Sequence, residues 1–259
     1  FWLQMLQHPV DKRFKRPPAT HHMVLDRYSK NLWRDFLGVP SEDITVVGSL
    51  RLSATLTQVR NLSYEDARLA LSVTSEEKLI LIATQTVAVQ ENLALIESVQ
   101  RAIVDVTNAR IMVKLHPAEA KERIGVYQRA LDHPQRFGRD IVTDSHDVYH
   151  AIVASDLVVV QHSNIGIEAM LLDRCVIAVI VGERIGSFSL GEHGLEEVTA
   201  GPEAEARIRM LLTDPDARAD ADLARRKVLE ENVELHDGRV AERITKAIET
   251  VLERRGRAS

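Results

Sequence analysis

The stretch Leu157-Val-Val-Val-Gln161-His162-Ser163-Asn164-Ile165-Gly166-Ile167-Glu168-Ala-Met-Leu-Leu172 decides how this chain reads. Four apolar residues, Leu157 to Val160, form a short run of the kind buried on both faces of a parallel sheet. A polar turn, Gln161 to Asn164, follows, and a helix opens near Ile165. Free backbone N–H groups at a helix start, with hydroxyls beside them, neutralise the charge of a phosphate. Glu168, one turn inside, is placed to accept from ribose hydroxyls. An ordinary strand–turn–helix capped by Ser163 or Asn164 accounts for the same letters.

A second segment, Ile111-Met-Val-Lys114-Leu-His116-Pro117, is a strand whose carboxyl end carries Lys114 and a His-Pro pair. Proline keeps the residue before it extended and so limits where the His116 imidazole points. Ligands of open parallel sheets bind just outside such strand ends. Apolar strands alternate with amphipathic helices from Ile44 onward, which predicts an α/β, doubly wound parallel sheet with helices on both faces. The strands are expected at 23–26, 45–47, 79–83, 110–115, 140–142, 157–160 and 176–181. The helices are expected at 30–37, 64–71, 90–106, 119–131, 148–154, 165–172, 203–212, 217–231 and 239–254. Ser63 with Asp66, and Asp237-Gly238, read as helix caps.

Together these segments resemble the nucleotide-sugar-binding, carboxyl-terminal lobe of the GT-B glycosyltransferases, closest to the surface-polysaccharide branch that includes polyol-phosphate transferases. The resemblance rests on Lys114-Leu-His116-Pro117 and on Ser155-Asp156-Leu157 through Ser163 to Glu168-Ala169-Met-Leu-Leu172. Val46-Val-Gly48-Ser49 is similar to the glycine turn that links the two lobes, and Ile80-Leu-Ile-Ala-Thr84-Gln85 to the first strand of the second lobe. It spans about residues 19 to 253. Departures are Asp173-Arg174-Cys175 where Gly-Lys-Pro is common, and Val160 where retaining enzymes often carry a glutamate.

The resemblance implies a Rossmann-like lobe at 48–259, its final helix packing back on a remnant of a first, Rossmann-like acceptor lobe at 1–47. About a hundred further residues are then expected ahead of Phe1, given a lobe of roughly 150. Transfer of a sugar from a nucleotide-activated donor to a glycan or lipid-linked acceptor is the implied activity. Ser163, Asn164 and the N–H groups near Gly166 then hold the donor phosphates, with Thr84 and Gln85 lining them and Lys114 at the same strand end as His116. His116 donates to the phosphates and stabilises charge on the leaving nucleotide. Glu168 holds the ribose, and the loop from Thr143 contacts the base. The proton-abstracting base belongs to the first lobe, where Gln7-His8-Pro9 resembles a family strand end and makes His8 the candidate. A non-hydrolysing UDP-sugar 2-epimerase, a glycerol- or ribitol-phosphate transferase and a non-catalytic nucleotide-binding module remain open. The epimerases show adjacent glycines and a Glu-Glu pair where this chain has Asn164-Ile165-Gly166 and Glu168-Ala169.

Composition sets outer limits. At 259 residues, 45% hydrophobic and 27% charged, the chain is long enough for one large domain or two small ones. No run of eighteen apolar residues occurs, so no membrane span is expected. Cys175 is the sole cysteine, which fits a reducing, cytoplasmic compartment and, beside an apolar strand, core packing. No GxGxxG fingerprint and no metal-ligand spacing are present, so neither a cofactor nor a metal is expected. Net charge is −5, yet residues 1–34 hold seven Lys/Arg against two Asp. That basic segment is either a solvated loop or a face for an anionic acceptor or the inner membrane surface. Nucleic acid is not an expected partner, since basic residues are not interleaved with aromatics. Val181 to Gly194 is a glycine-spaced loop leaving a strand's carboxyl end, equally a flap near substrate or a surface excursion.

Overall fold

The structure, a computed structural model, describes residues 21–59, 61–132, 140–144, 147–182, 191, 195–232, 234 and 236–258. They divide into two compact units, Asn61–Arg226 and Phe1–Arg60 with Lys227–Ser259. The boundary expected at 47/48 lies inside the second of these.

The larger unit is a six-stranded parallel sheet. Its strands are β3 (Lys78–Ala83), β4 (Ala109–Lys114), β5 (Ile141–Thr143), β6 (Leu157–Val160), β7 (Val176–Ile180) and β8 (Glu196–Thr199), in the spatial order β5-β4-β3-β6-β7-β8. From β3 the chain winds outward through β4 and β5, then returns to lay β6 on the other side of β3. That is the doubly wound Rossmann order, and it makes the β3–β6 junction the switch point of the sheet. β3, β4, β6 and β7 are near-continuous β-branched and aliphatic runs because both their faces are covered. Ile80, Ile82, Ile111, Val113, Leu157, Val159, Ile177 and Val179 point to one face. There they meet Leu95, Ile96 and Val99 of α4 (Val89–Ala102), Tyr127 and Leu131 of α5 (Arg123–Leu131), and Ile208 and Leu211 of α8 (Pro202–Thr213). On the other face, α3 (Tyr64–Ala70) packs on α6 (Val148–Ala154), α6 on β3, and α7 (Ile165–Leu171) on β6 and β7. Ser63 caps α3 reciprocally with Asp66, accepting from its N–H at 3.0 Å and donating to its carboxylate at 2.8 Å.

Several elements differ from the sequence reading or fall outside the described residues. β8, Glu-Glu-Val-Thr, was not expected, because an edge strand this polar lacks the apolar run that marks its neighbours. Helix α5 starts at Arg123, not at Glu119, since Glu119 turns into the protein. The glycine-spaced loop, read equally as a flap or a surface excursion, lies largely outside the described residues, as do His8 and the basic residues Lys12, Arg13, Lys15 and Arg16.

In the smaller unit, β1 (His22–Val24) pairs in parallel with β2 (Ile44–Val46) beside α1 (Arg27–Leu37), around Val24, Val39 and Ile44. It also holds α2 (Leu50–Val59), which has no counterpart among the helices expected from sequence, and α10 (Val240–Ala258); the remaining helix, α9 (Pro215–Glu231), contains the boundary between units. The final helix is tied to the turn after β2 through Arg243. This guanidinium donates to the Val47 carbonyl at 3.0 Å, to Glu234 O at 2.9 Å, and to both Asp237 oxygens at 2.6 and 2.9 Å. The hydrogen bond from Arg243 is the main reason the Asp237 carboxyl is held down at about 2. Gly48 sits in this turn at φ +87°, where an added Cβ would collide with the Glu234 carbonyl and crowd Val240.

Gly48→Ala therefore combines a left-handed backbone with a backbone collision and should cost at least about 2 kcal/mol. Gly125→Ala, inside α5 where only the Arg129 side chain comes near, at 3.4 Å, should instead gain roughly 0.5–1 kcal/mol. Urea denaturation of both variants checks the pair. An unchanged midpoint for Gly48→Ala removes the steric argument.

Candidate functional site

The carboxyl ends of β3, β4, β5 and β6 bring most of the sequence candidates to one edge of the sheet. Register places Ala83 beside Lys114 and Lys114 beside Thr143, while Ile82 pairs with Val159 across the switch point. Thr84-Gln85 and His116 therefore leave neighbouring strands side by side. Gln161 to Ser163 leave β6 on the opposite flank of β3.

A buried carboxylate organises the β3 and β4 ends. Glu119 Oε2 accepts from the Thr84 hydroxyl and, at 3.2 Å, from the His116 N–H. Its Oε1 accepts from Tyr127 at 2.7 Å, Arg123 at 2.8 Å and Asn92 at 3.2 Å. Thr84 Oγ1 also accepts from the His116 N–H at 3.0 Å. Asn92 grips Gln85 from both sides, accepting from its N–H at 3.2 Å and donating to its carbonyl at 2.9 Å. Burial alone, the largest influence, pushes the Glu119 carboxyl up. Hydrogen bonds from Thr84, Tyr127, Arg123 and the His116 N–H outweigh it and hold the group below the usual carboxylate range.

This network fixes the backbone of His116, and a local bond fixes its ring. The Ala118 N–H donates to His116 Nδ1 at 3.1 Å. With Nδ1 accepting, the neutral ring carries its proton on Nε2 and presents Nε2–H as a donor. Lys114 is nearly buried, and its ammonium donates to the Asp144 carbonyl at 2.8 Å, joining β4 to the end of β5. Burial lowers its pKa against the opposing pull of Asp144 and Asp147. Thr84 is buried with its hydroxyl taken up by Glu119 and the Lys114 carbonyl. In this geometry the polar groups of Thr84 and Lys114 join strands.

After β6, Ser163 Oγ accepts from the Ile165 N–H at 3.3 Å and Ser163 O from the Gly166 N–H at 3.0 Å. The first turn of α7 is thereby closed on Ser163, with Asn164 exposed and Glu168 buried one turn in. Gln161, ahead of this turn, is fully buried, and neither its amide oxygen nor its nitrogen has a partner; the Gln85 amide nitrogen is likewise buried and unpaired. Each such atom costs about 1–3 kcal/mol, a cost that native proteins tolerate mainly where water or a ligand completes the shell.

The Ser155-Asp156 half of the sequence block lies at the other end of β6. Asp156 accepts from the Leu79 N–H at 2.7 Å and pairs with Arg68 at 3.1 Å, so this half holds strand starts in register. Glu119, Asn92, Arg123, Tyr127 and Gln161 were not singled out from sequence. The available signal for Glu119 was its i,i+4 spacing to Arg123 directly after the His-Pro pair. Among the described residues, no group of three or more His, Cys, Asp or Glu is placed to hold a metal ion, and no helix is long and apolar enough to cross a membrane.

Glu119→Gln places an amide N–H among five donors. Loss of charge-assisted hydrogen bonds in a buried network should cost roughly 2–4 kcal/mol. Because the folded carboxyl titrates below its ordinary value of 4.5, its contribution is complete above that pH and fades as pH falls through the lowered value. Denaturation at pH 7 and pH 3 checks both: the variant's deficit should shrink at the lower pH. A deficit independent of pH assigns the effect to shape alone.

No protein-family model and no curated protein matches the chain. Solved structures do. They include the wall teichoic acid polymerase TagF, with a TM-score of 0.58 and 16% identity over 91% of this chain and 58% of that one. S. aureus MnaA, solved with UDP, gives a TM-score of 0.65 and 19% identity over 91% and 60%. The UDP-GlcNAc 2-epimerase from Neisseria meningitidis, bound to UDP-GlcNAc, gives 0.61 and 14% over 89% and 61%. This chain spans about three-fifths of the length of these proteins. At such identities the likeness shows the fold, and the fold is the GT-B type to which the sequence motifs pointed.

Proposed function

We propose that this chain binds a nucleotide-activated donor at the β3–β6 switch point and serves transfer of the activated unit, a sugar in the first instance, to a glycan or lipid-linked acceptor. The observation that carries this reading is His116. A strand-end imidazole held by Glu119 at its backbone and by Ala118 at Nδ1 offers one neutral donor, Nε2–H. Such a donor gains strength as charge grows on a departing nucleotide, so it favours the transition state over the ground state. Ser163, Asn164 and the start of α7 take the donor phosphates, Glu168 the ribose and the chain beyond Thr143 the base. Thr84, Gln85 and Lys114 support that edge. The acceptor proton goes to a base outside this sheet edge, for which His8 is the candidate. No further cofactor is required, and the site of action is cytoplasmic, at or near the inner membrane surface.

Support comes from two sides. Thr84, Gln85, Lys114, His116 and Ser163 lie at the carboxyl ends of strands in a doubly wound sheet, the side on which such sheets take ligands. The similar structures include a wall teichoic acid polymerase and proteins solved with UDP or UDP-GlcNAc. These neighbours favour two other chemistries on the same donor site: transfer of a polyol phosphate, and epimerisation. Product analysis after incubation with UDP-sugars and CDP-polyols distinguishes them. A new glycosidic bond supports the proposal, a phosphodiester the second chemistry, and an epimerised sugar the third.

His116→Ala should lower kcat by about ten- to a hundredfold, the value of a charge-assisted hydrogen bond of roughly 1.5–3 kcal/mol, with a smaller change in donor affinity. Glu168→Gln should chiefly raise the donor KM. Ser63→Ala, at a helix cap, should change stability alone. Unchanged turnover in a folded His116→Ala protein makes the residue structural.

A further inference from the structure

Gln161 leaves β6 fully buried, with both polar atoms of its side-chain amide unpartnered. On the neighbouring strand, Gln85 leaves β3 with its amide nitrogen in the same state. Ile82 pairs with Val159, so two residues further along both strands Thr84 comes opposite Gln161, with Gln85 next. The Asn92 clamp on both sides of the Gln85 backbone holds that position while leaving its side-chain amide unengaged. Two neutral amides thus stand at the switch point, where sheets of this order take their ligands.

The chemistry of the unpaired atoms selects the ligand. A phosphate oxygen only accepts, so it satisfies an amide N–H but gives nothing to Gln161 Oε1. An apolar group satisfies neither atom. A hydroxyl donates and accepts, and two adjacent hydroxyls match the oxygen and the N–H of one amide side by side. The anionic part of a nucleotide has separate partners in His116 Nε2–H and the Ser163 turn.

We propose that Gln161, with Gln85 beside it, forms a subsite for the hydroxyls of the uncharged sugar or polyol unit carried by the donor. The proposal rests on the nucleotide-donor reading above and deepens it. It accounts for a buried amide at a position where an apolar side chain would pack without leaving polar atoms unmatched. Hydroxyls also come from the ribose of the nucleotide, and a bare nucleoside diphosphate separates that source from the transferred unit.

The test is titration calorimetry of the chain with UDP-N-acetylglucosamine, CDP-glycerol, UDP and CDP, together with thermal melts of the ligand-free protein. Gln161→Met keeps approximate volume and removes both hydrogen-bonding atoms. It should weaken binding of whichever intact donor the parent takes by about tenfold or more, while its nucleoside diphosphate stays within about twofold. The melting temperature of the free variant should hold or rise, since an unmatched amide has gone. Gln85→Met, at a partly exposed position, should show the same pattern and serves if the first variant folds poorly. Equal weakening of donor and nucleoside diphosphate moves the amide to the ribose and overturns the proposal. Unchanged donor affinity, or a lower melting temperature with donor affinity intact, overturns it as well. A parent protein that binds none of the four ligands refutes the nucleotide reading, and the subsite with it. A parent that binds normally beside an unaltered Gln161→Met refutes the subsite alone.

Discussion

The Glu119 carboxylate is the constraint on which the carboxyl edge of the sheet depends. Five donors from two strand ends and two helices converge on its two oxygens: Thr84, the His116 N–H, Asn92, Arg123 and Tyr127. A buried charge survives only when its lone pairs are occupied in this way. Occupying them fixes α4 and α5 against β3 and β4 at the point where the sheet ends. His116 inherits its position from this arrangement, because its backbone N–H is one of the five donors.

The two ends of the sheet use their buried polar groups differently. At the amino end Arg68 is buried and donates to Tyr64 Oη, Ala154 O, Asp156 Oδ2, Thr74 O and Glu77 O, while Asp156 accepts from the Leu79 N–H. Charge there is spent on holding β3 and β6 in register. At the carboxyl end the same two strands finish in Gln85 and Gln161, whose amides carry unmatched buried atoms. The carboxyl end thus combines the satisfied Glu119 network with two glutamine amides that carry unmatched buried atoms, while at the amino end Arg68 Nε is the unmatched atom beside the Arg68–Asp156 pair.

Much of the fold was legible because its cause is local. Strands buried on both faces must be apolar runs, so Leu79–Ala83, Ile111–Val113 and Leu157–Val160 announce themselves. The polar edge strand Glu196–Thr199 gives no such sign, because one edge and part of its surface are free of the core. In the site, His116 and Ser163 stood out through contiguous letters: a His-Pro pair after a strand, a serine turn before a helix. Glu119 and Gln161 did not. A glutamate after His-Pro-Ala resembles an acid in a first helical turn, and a glutamine after a strand resembles a solvated turn. Burial is decided by what packs over them, and that information is distributed over α4, α5 and neighbouring strands.

The same hydrogen-bond accounting limits what chemistry this edge can perform. Glu119 is ionised, but five donors hold its proton affinity down and leave no lone pair directed at a substrate, so it is unsuited to act as a base. His116 Nδ1 is occupied by the Ala118 N–H, which leaves the ring facing outward as a donor. Lys114 is bonded to the Asp144 carbonyl. The groups assembled around His116 therefore favour departure of an anionic leaving group over abstraction of a proton. A reaction that needs both must draw its base from elsewhere in the protein. On the proposed function, substrate choice separates in space: the leaving nucleotide would be recognised at this sheet edge, and the acceptor wherever that base lies.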